Sequence, residues 1–362
     1  MGSFDSKSFN EKAFKYGVEN SRIPNLKTNE LKKSKALKRN KDIEDVFNGS
    51  QGGLVYAEIA MKGLLDGEAV NYDGQTDIKA NKTKTFNRGV VVVGRANSWT
   101  EKDFSDDITG EDFMDNVADQ VAEYKDGLDQ LTLLKILTGV FNMKGTKNAE
   151  FVSKHTLDIT ANADETGKVG QTTLNTAMNQ ACGANKKKFS LVIMHSDVST
   201  NLENLKLVKH LTYTDEDGIE RPLDLAAWNG KTVLIDDDMP VEEVPASGTG
   251  DKATLAYTKY TTYILGDGSI DYEDLKIKHP YSMSRDEKTN GGEDTLYMRQ
   301  RKVFAPYGIS FTKAKMASNS PTDAELADGS NWELVHSGET VDTKRTYINH
   351  KAIPIARIIS RG

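Results

Sequence analysis

The chain has 362 residues, enough for two ordinary domains or one large discontinuous one. Hydrophobic residues make up 37% and charged residues 28%, so the sequence supplies one core but not several, and extended segments that depend on partners are expected. The net charge of −7 argues against a dedicated nucleic-acid binder, because such domains carry a basic excess. No apolar run approaches the roughly 18 residues of a membrane helix, and the polar start does not match a secretory signal. A single cysteine, Cys182, favours a reducing cytoplasm.

Residues 1–50 are polar and poor in large aliphatic side chains. Such a segment cannot bury enough apolar surface to order itself, so we predict an arm that docks on neighbouring molecules. Residues 22–41 carry eight basic side chains against one acid, Glu30. The candidate contact residues of the arm are Lys32, Lys33, Lys35, Lys38 and Arg39.

The next segment combines a predicted helix with a predicted hairpin. Residues 54–65 favour a short helix that begins the packed body, and residues 68–99 alternate and contain the turn signal Asp73-Gly74. The polar stretch before the strand at 90–93 predicts a long two-stranded hairpin that projects from the body. Isolated ribbons are only marginally stable, so this one requires a partner surface. Its candidate contact residues are Lys79, Lys82, Lys84, Arg88 and Arg95.

A long amphipathic helix is predicted over 109–141. Thr109 to Asp112 form an N-terminal capping signature, and apolar residues then recur at spacings of three and four. The acids fall on the opposite face, where Asp129 closes the series. The candidate contact residues of this face are Asp112, Asp115, Asp119, Glu123 and Asp126.

The remainder predicts a mixed α/β region. The expected elements are helices over 172–184 and 197–208, strands over 189–194, 231–235, 257–265 and 352–360, a β-rich stretch over 296–311, and loops over 245–252 and 284–294.

The patterns with catalytic potential are incomplete. Asn229-Gly230-Lys231-Thr232 ends like a phosphate-binding loop, but Leu225 stands where that loop needs a glycine, and the Lys-Thr pair opens a strand instead of a helix. The acidic runs 215–218 and 236–238 lack calcium-loop spacing. The six histidines are scattered, and Cys182 lies among small residues of a helix. We therefore expect no catalytic site, metal or cofactor.

The charge distribution favours self-association. Residues 101–129 contain eleven acids against two lysines, whereas the arm and hairpin are basic. Complementary potentials set register and partner choice, and a heterologous interface of this kind builds rings and shells.

The order of these parts resembles the major capsid proteins of tailed bacteriophages, which have the Hong Kong 97-like fold. AMNQACGANKKKFSLVIMHSDVSTNLENLKLV (177–208) is similar to the opening of their axial domain, and NGKTVLIDDDMP (229–240) to its next strand and loop. YGISF (307–311) and SPTDAELADGSNWELV (320–335) are similar to the C-terminal part of one subfamily.

The resemblance implies an α+β fold with a role for each segment. These segments are an N-terminal arm (1–50), a first peripheral segment (51–66), an extended β-hairpin loop (67–100), a peripheral domain with the spine helix 109–141 (101–170), an α/β axial domain (171–294), and C-terminal strands completing both domains (295–362).

The resemblance also implies a non-enzymatic shell protein of hexamers and pentamers, which assembles in the cytoplasm of a bacterial host and becomes the virion head around double-stranded DNA. Weak non-specific DNA contact, a portal protein, a separate scaffolding protein and a possible decoration protein are the expected partners, without a membrane. We expect no cleavage of the arm and no covalent cross-linking. An encapsulin-like nanocompartment of the same fold and a nucleotide-dependent α/β enzyme are the alternatives.

Overall fold

The computed structural model describes residues 9–19, 31–49, 54–63, 69–73, 75, 77, 85–102, 117–162, 165–214, 220–246, 255–339, 341 and 344–361, with side chains except in 209–225. The described helices are α1 (Glu11–Glu19), α2 (Lys41–Gly49), α3 (Val117–Phe141), α4 (Thr146–Lys154), α5 (Thr173–Cys182), α6 (Ser196–Asn204) and α7 (Asp323–Ala327). The described strands are β1 (Leu37–Arg39), β2 (Tyr56–Lys62), β3 (Thr85–Lys102), β4 (Thr156–Asp158), β5 (Phe189–Met194), β6 (Val208–Thr214), β7 (Glu220–Trp228), β8 (Lys231–Ile235), β9 (Val241–Val244), β10 (Tyr257–Gly266), β11 (Ile270–Asp274), β12 (Tyr281–Asp286), β13 (Glu293–Pro306), β14 (Ile309–Phe311), β15 (Trp332–Leu334) and β16 (Ile355–Arg361).

A six-stranded sheet has the order β1-β11-β13-β3-β2, with β12 paired to β13. Its longest strand is β3, whose 18 residues pair with β2 at one end and with β13 at the other. At about 3.3 Å per residue, β3 extends the sheet over more than 50 Å. The second strand of the predicted hairpin lies in β3, but the first is corrected: β3 pairs with β2, before the predicted range, and the described residues 69–73 form no strand.

An eight-stranded sheet has the order β4-β16-β10-β5-β8-β7-β6, with β9 paired to β10. Its centre, β5, is the apolar run FSLVIM, which pairs parallel to β8 and antiparallel to β10. Strands buried on both faces are continuously hydrophobic, which explains this run. The structure thus confirms the strands predicted over 189–194, 231–235 and 257–265.

Helix α3, the spine helix, is buried most completely in its C-terminal half. Leu133, Ile136, Leu137 and Val140 are at most 1% exposed and join a core that both sheets contribute to. A helix that is apolar on all sides requires burial on all sides, so this half lies inside the molecule. The C-terminal end at Phe141 agrees with the prediction, whereas the predicted start at 109 lies outside the described residues.

The arm prediction is wrong for residues 31–49. Strand β1 pairs parallel with β11, and Leu31, Leu37, Ile43 and Phe47 are all buried against the same chain. These few apolar side chains suffice because each enters a core built by distant segments. The polar composition therefore predicted the exposed side chains of this segment correctly, but not that its few apolar side chains hold it on the body of the same chain.

The helix predicted over 54–65 is also wrong. Residues Tyr56–Lys62 form β2, which pairs antiparallel with β3, and Ile59 is its buried residue. A short apolar run fits a helix or a strand equally well by local pattern, and here the neighbouring strand provides backbone partners that decide the outcome.

The predicted boundaries at the axial domain differ from the sheet pairing. Strands β11 and β12, within the predicted axial segment 171–294, belong to the six-stranded sheet, whereas β13 and β16 of the C-terminal stretch join one sheet each, as predicted. The loop predicted over 284–294 is instead the tip of the β12–β13 hairpin. The helix predicted over 197–208 ends at Asn204, because Val208 begins β6.

Candidate subunit interface

The predicted basic contact residues of the arm lie at the surface. Lys32, Lys33, Lys35, Lys38 and Arg39 are exposed, while the buried apolar residues between them hold the segment on the body. Lys35 has φ 63°, which turns the chain into β1. The cations are therefore displayed from a fixed backbone.

Two of the predicted hairpin contacts point inward. Arg88 is 4% exposed and donates to the Asp271 carboxylate at 2.5 Å, and Asn40 donates to the same oxygen at 3.2 Å. Arg95 donates to Asp323 at 2.6 Å and to the carbonyl of Pro321 at 2.9 Å. The buried Arg88 is not available to a neighbouring subunit, so that prediction is corrected, whereas the partly exposed Arg95 stays a prediction. Lys79, Lys82 and Lys84 lie outside the described residues.

The predicted acidic face of the spine helix divides in the same way. Glu123 is exposed and Asp119 is half-buried, as the surface prediction requires. Asp126 is buried at 8% exposure, so it is removed from the predicted surface. Asp112 and Asp115 lie outside the described residues. Asp126 follows Asp119 by about two helical turns and lies on the same face, so its burial reflects its position further along the helix, closer to the core.

Asp129, which ends this acidic series, is part of a buried ionic cluster. Its carboxylate accepts from the Lys302 ammonium and from the Gln300 amide, the latter at 3.2 Å. Lys302 also pairs with Asp274, its cross-strand neighbour on β11, at 3.4 Å. The cluster joins the spine helix to two strands of the six-stranded sheet.

The electrostatics of this cluster favour the charged lysine. Burial by itself disfavours the Lys302 ammonium, but the carboxylates of Asp129 and Asp274 outweigh burial and hold the pKa of Lys302 above its ordinary value. Burial likewise opposes the charge of Asp274, while Lys302 and the Tyr272 hydroxyl outweigh it and keep the pKa of Asp274 below its usual range. Burial outweighs Lys302 at Asp129 and raises the pKa of that carboxyl above its ordinary value, so the charged forms are favoured at Lys302 and Asp274, whereas burial opposes the charge of Asp129.

Sequence reasoning missed Lys302 and Gln300, although a signal was present. On β13 the buried positions recur every second residue, and the polar pair is in phase with the apolar Leu296, Met298 and Phe304. Arg88 has the same relation to Phe86 and the valines of β3. A charged residue in phase with the apolar face of a strand indicates a buried ion pair.

The phosphate-loop resemblance is resolved by backbone geometry. Asn229 and Gly230 have φ of 48° and 74° and form the tight turn between β7 and β8, so Lys231 enters a strand. Cys182 is 1% exposed with its thiol directed at the Ile353 carbonyl, and burial raises its pKa to about 11. A thiol held protonated in this way packs and does not act as a nucleophile.

No group of three or more His, Cys, Asp or Glu side chains in the described ranges could hold a metal ion. Within the same ranges, no helix is long and apolar enough to cross a membrane. The features that remain are surface charge and buried ion pairs.

Comparison with known proteins finds similarity to phage capsid proteins. No protein-family model matches it. It is 27% identical over 277 residues to the major capsid protein of Bacillus phage SPP1, a match covering 76% of this chain and 78% of the relative. Its structure is similar to the capsid of Ralstonia phage GP4, with a TM-score of 0.52 and 10% identity over 85% of this chain and 83% of that chain. The structural match shows a shared fold.

Proposed function

We propose that this chain, a tailed-phage major capsid protein with the Hong Kong 97-like fold, forms the hexamers and pentamers of an icosahedral head around double-stranded DNA. The observation that carries the proposal is the sequence relationship to a phage major capsid protein over three quarters of both chains. The shared capsid fold and the α+β architecture support it. The role is structural, and we propose no catalytic activity.

The proposed partners follow from this role. A portal protein and a separate scaffolding protein assist assembly in the bacterial cytoplasm, and a decoration protein is a further candidate. The net charge of −7 suits a container whose contact with packaged DNA is weak and non-specific, since strong phosphate binding would hinder release.

The proposed interface pairs the hairpin lysines of one subunit with the acidic spine helix of the next. Lys79, Lys82 and Lys84 remain in this proposal, with Asp119 and Glu123 as the acidic partners on the described part of the helix. Support comes from the exposure of Glu123 and from the opposite charges of the two segments.

Electron microscopy of the expressed protein, alone and together with its scaffolding protein, tests the function. We expect closed shells of uniform size, and shells lost when Lys79, Lys82 and Lys84 are all changed to Glu. Small particles under every condition would contradict the capsid role. Normal shells from the triple variant would contradict the interface alone.

A further inference from the structure

A cavity of about 910 Å³ opens where the N-terminal segment, the base of the β2–β3 hairpin and the C-terminal segment meet. Phe86 and Tyr307 are among its lining residues. Five exposed cationic side chains border it, namely Lys38, Arg39, Lys41, Lys62 and Lys188. The volume lies in the range of ordinary binding pockets.

The charge of this cationic cavity is not balanced from within the described chain. None of the five cations takes part in an ion pair with any described residue. Asp271 in the wall is already bonded to Arg88 and Asn40, which leaves Asp42 and Asp267 as the other carboxylates. Like charges around one cavity repel each other, so an anionic partner would stabilise it.

One segment of the chain has the matching charge. Residues 103–116, which precede the spine helix, contain six acids and no basic residue. The six acids are Asp103, Asp106, Asp107, Glu111, Asp112 and Asp115. The segment also contains two aromatic side chains, Phe104 and Phe113.

The same molecule cannot supply this segment to its own cavity. Phe86 lines the cavity, whereas Lys102 ends β3, 16 residues further along one continuous strand, or about 50 Å away. The spine helix begins near that far end, because the rings of Trp99 and Tyr124 lie 5.1 Å apart. Fourteen residues extend to about 50 Å at most, so they cannot travel to the cavity and return.

We propose that the cationic cavity receives the acidic segment 103–116 of a second copy of this chain. The inference rests on the proposed function and deepens it, because it names the receptor surface at the base of the hairpin whose lysines face the same neighbour. Duplex DNA, which carries one charge per about 1.7 Å of its axis, is the competing anionic occupant, and the test below distinguishes it from the segment.

Charge exchange tests the pairing. Changing Lys41 and Lys62 to Glu should reduce the yield of sedimenting shells about tenfold or more, since opposed like charges cost over 1.4 kcal/mol. Changing Asp106 and Asp107 to Lys should do the same, and the four changes together should restore shells. The matched control, Lys276→Glu with Lys278→Glu, places the same charge change on exposed lysines outside the cavity.

Cross-linking tests the same pairing by proximity, without reversing any charge. Cysteines at Lys62 and Asp107 in one chain, treated with a bismaleimide in assembled shells, should give a ladder of multimers, while buried Cys182 stays unreacted. Cross-linking only within one chain, or failure of the four changes to restore assembly, would overturn the inference. Normal shells that retain less DNA would overturn it in favour of nucleic acid. Wild-type protein is assembled in parallel. If it forms shells, a negative result in the variants contradicts the pairing and not the proposed capsid function.

Discussion

The two sheets stabilise their surroundings by different means. Around α5 and α6, the eight-stranded sheet packs an apolar core in which Leu174, Val192 and Ile358 are at most 1% exposed. The six-stranded sheet also buries apolar side chains, but it adds buried ion pairs, such as Arg88 with Asp271. Apolar packing tolerates small changes, whereas a buried ion pair fails when one partner is removed. The difference predicts where single substitutions and acid act most strongly.

The largest effect is expected at the buried cluster. Lys302→Met leaves Asp129 and Asp274 without their cation and should lower the free energy of unfolding by about 3–5 kcal/mol. Lys315→Met, at an exposed lysine 3.7 Å from Asp328, should change it by about 0.5 kcal/mol or less. Denaturant unfolding of the unassembled protein measures both. Equal stability of the two variants would show that burial of charge does not distinguish the six-stranded sheet.

Acid should act on the eight-stranded sheet through one histidine. His155 bonds the Ile355 carbonyl at 2.7 Å and His350 at 3.2 Å, and burial lowers the pKa of His155 to about 4. Between pH 6.5 and 4 the unfolded chain binds a proton that the folded chain excludes, so the free energy of unfolding falls as pH falls. The loss from His155 should reach about 3 kcal/mol near pH 4.

Replacement of the histidine checks this assignment. His155→Gln should flatten the decline of unfolding free energy over that pH range, although the variant is less stable at pH 7. His279→Gln, at a histidine with a 58% exposed side chain, should leave the decline as it is. An unchanged slope in His155→Gln would assign the acid sensitivity to the carboxylates of the six-stranded sheet instead.

The smallest expected effects compare two glycines of the spine helix. A Cβ on Gly139 would lie 2.1 Å from the Leu326 carbonyl oxygen and 2.5 Å from Trp332 Nε1, so Gly139→Ala should destabilise by about 1–3 kcal/mol. Gly127 has nothing within 4 Å, so Gly127→Ala should stabilise by about 0.5–1 kcal/mol through helix propensity. Thermal unfolding distinguishes the two signs. Higher thermal stability in both variants would mean that the core around Gly139 relaxes to accept the added methyl group.

The local sequence pattern predicted an element correctly where periodicity and composition within the segment determine its secondary structure. The helix α5, the strand FSLVIM and the end of the spine helix at Phe141 all follow from periodicity and composition. It was insufficient at 54–65, where Lys62 pairs with Thr85 of the next strand, and at 31–49, where Leu37 pairs with the distant Ile270. A pairing partner at that separation leaves no trace in the local sequence.

For the candidate interface too, some features follow from the sequence and others only from the structure. The basic arm and hairpin and the acidic region 101–129 are properties of the sequence, and the structure confirms the exposure of residues such as Lys38 and Glu123. Arg88 belongs to the same basic set but pairs with Asp271, 183 residues away. Charge alone does not distinguish a surface cation from a buried one.

The sequence by itself determined the supply of charge, its uneven distribution and the periods of the main helices and strands, because each depends on neighbouring residues. Only the tertiary structure decided which charges are paired inside the chain and which remain at its surface. This distinction depends on burial. A charged side chain removed from water needs an oppositely charged partner in the same chain, whereas solvent stabilises an exposed one without such a partner. Arg88 and Lys302 satisfy the first condition, and the cations around the cavity meet the second.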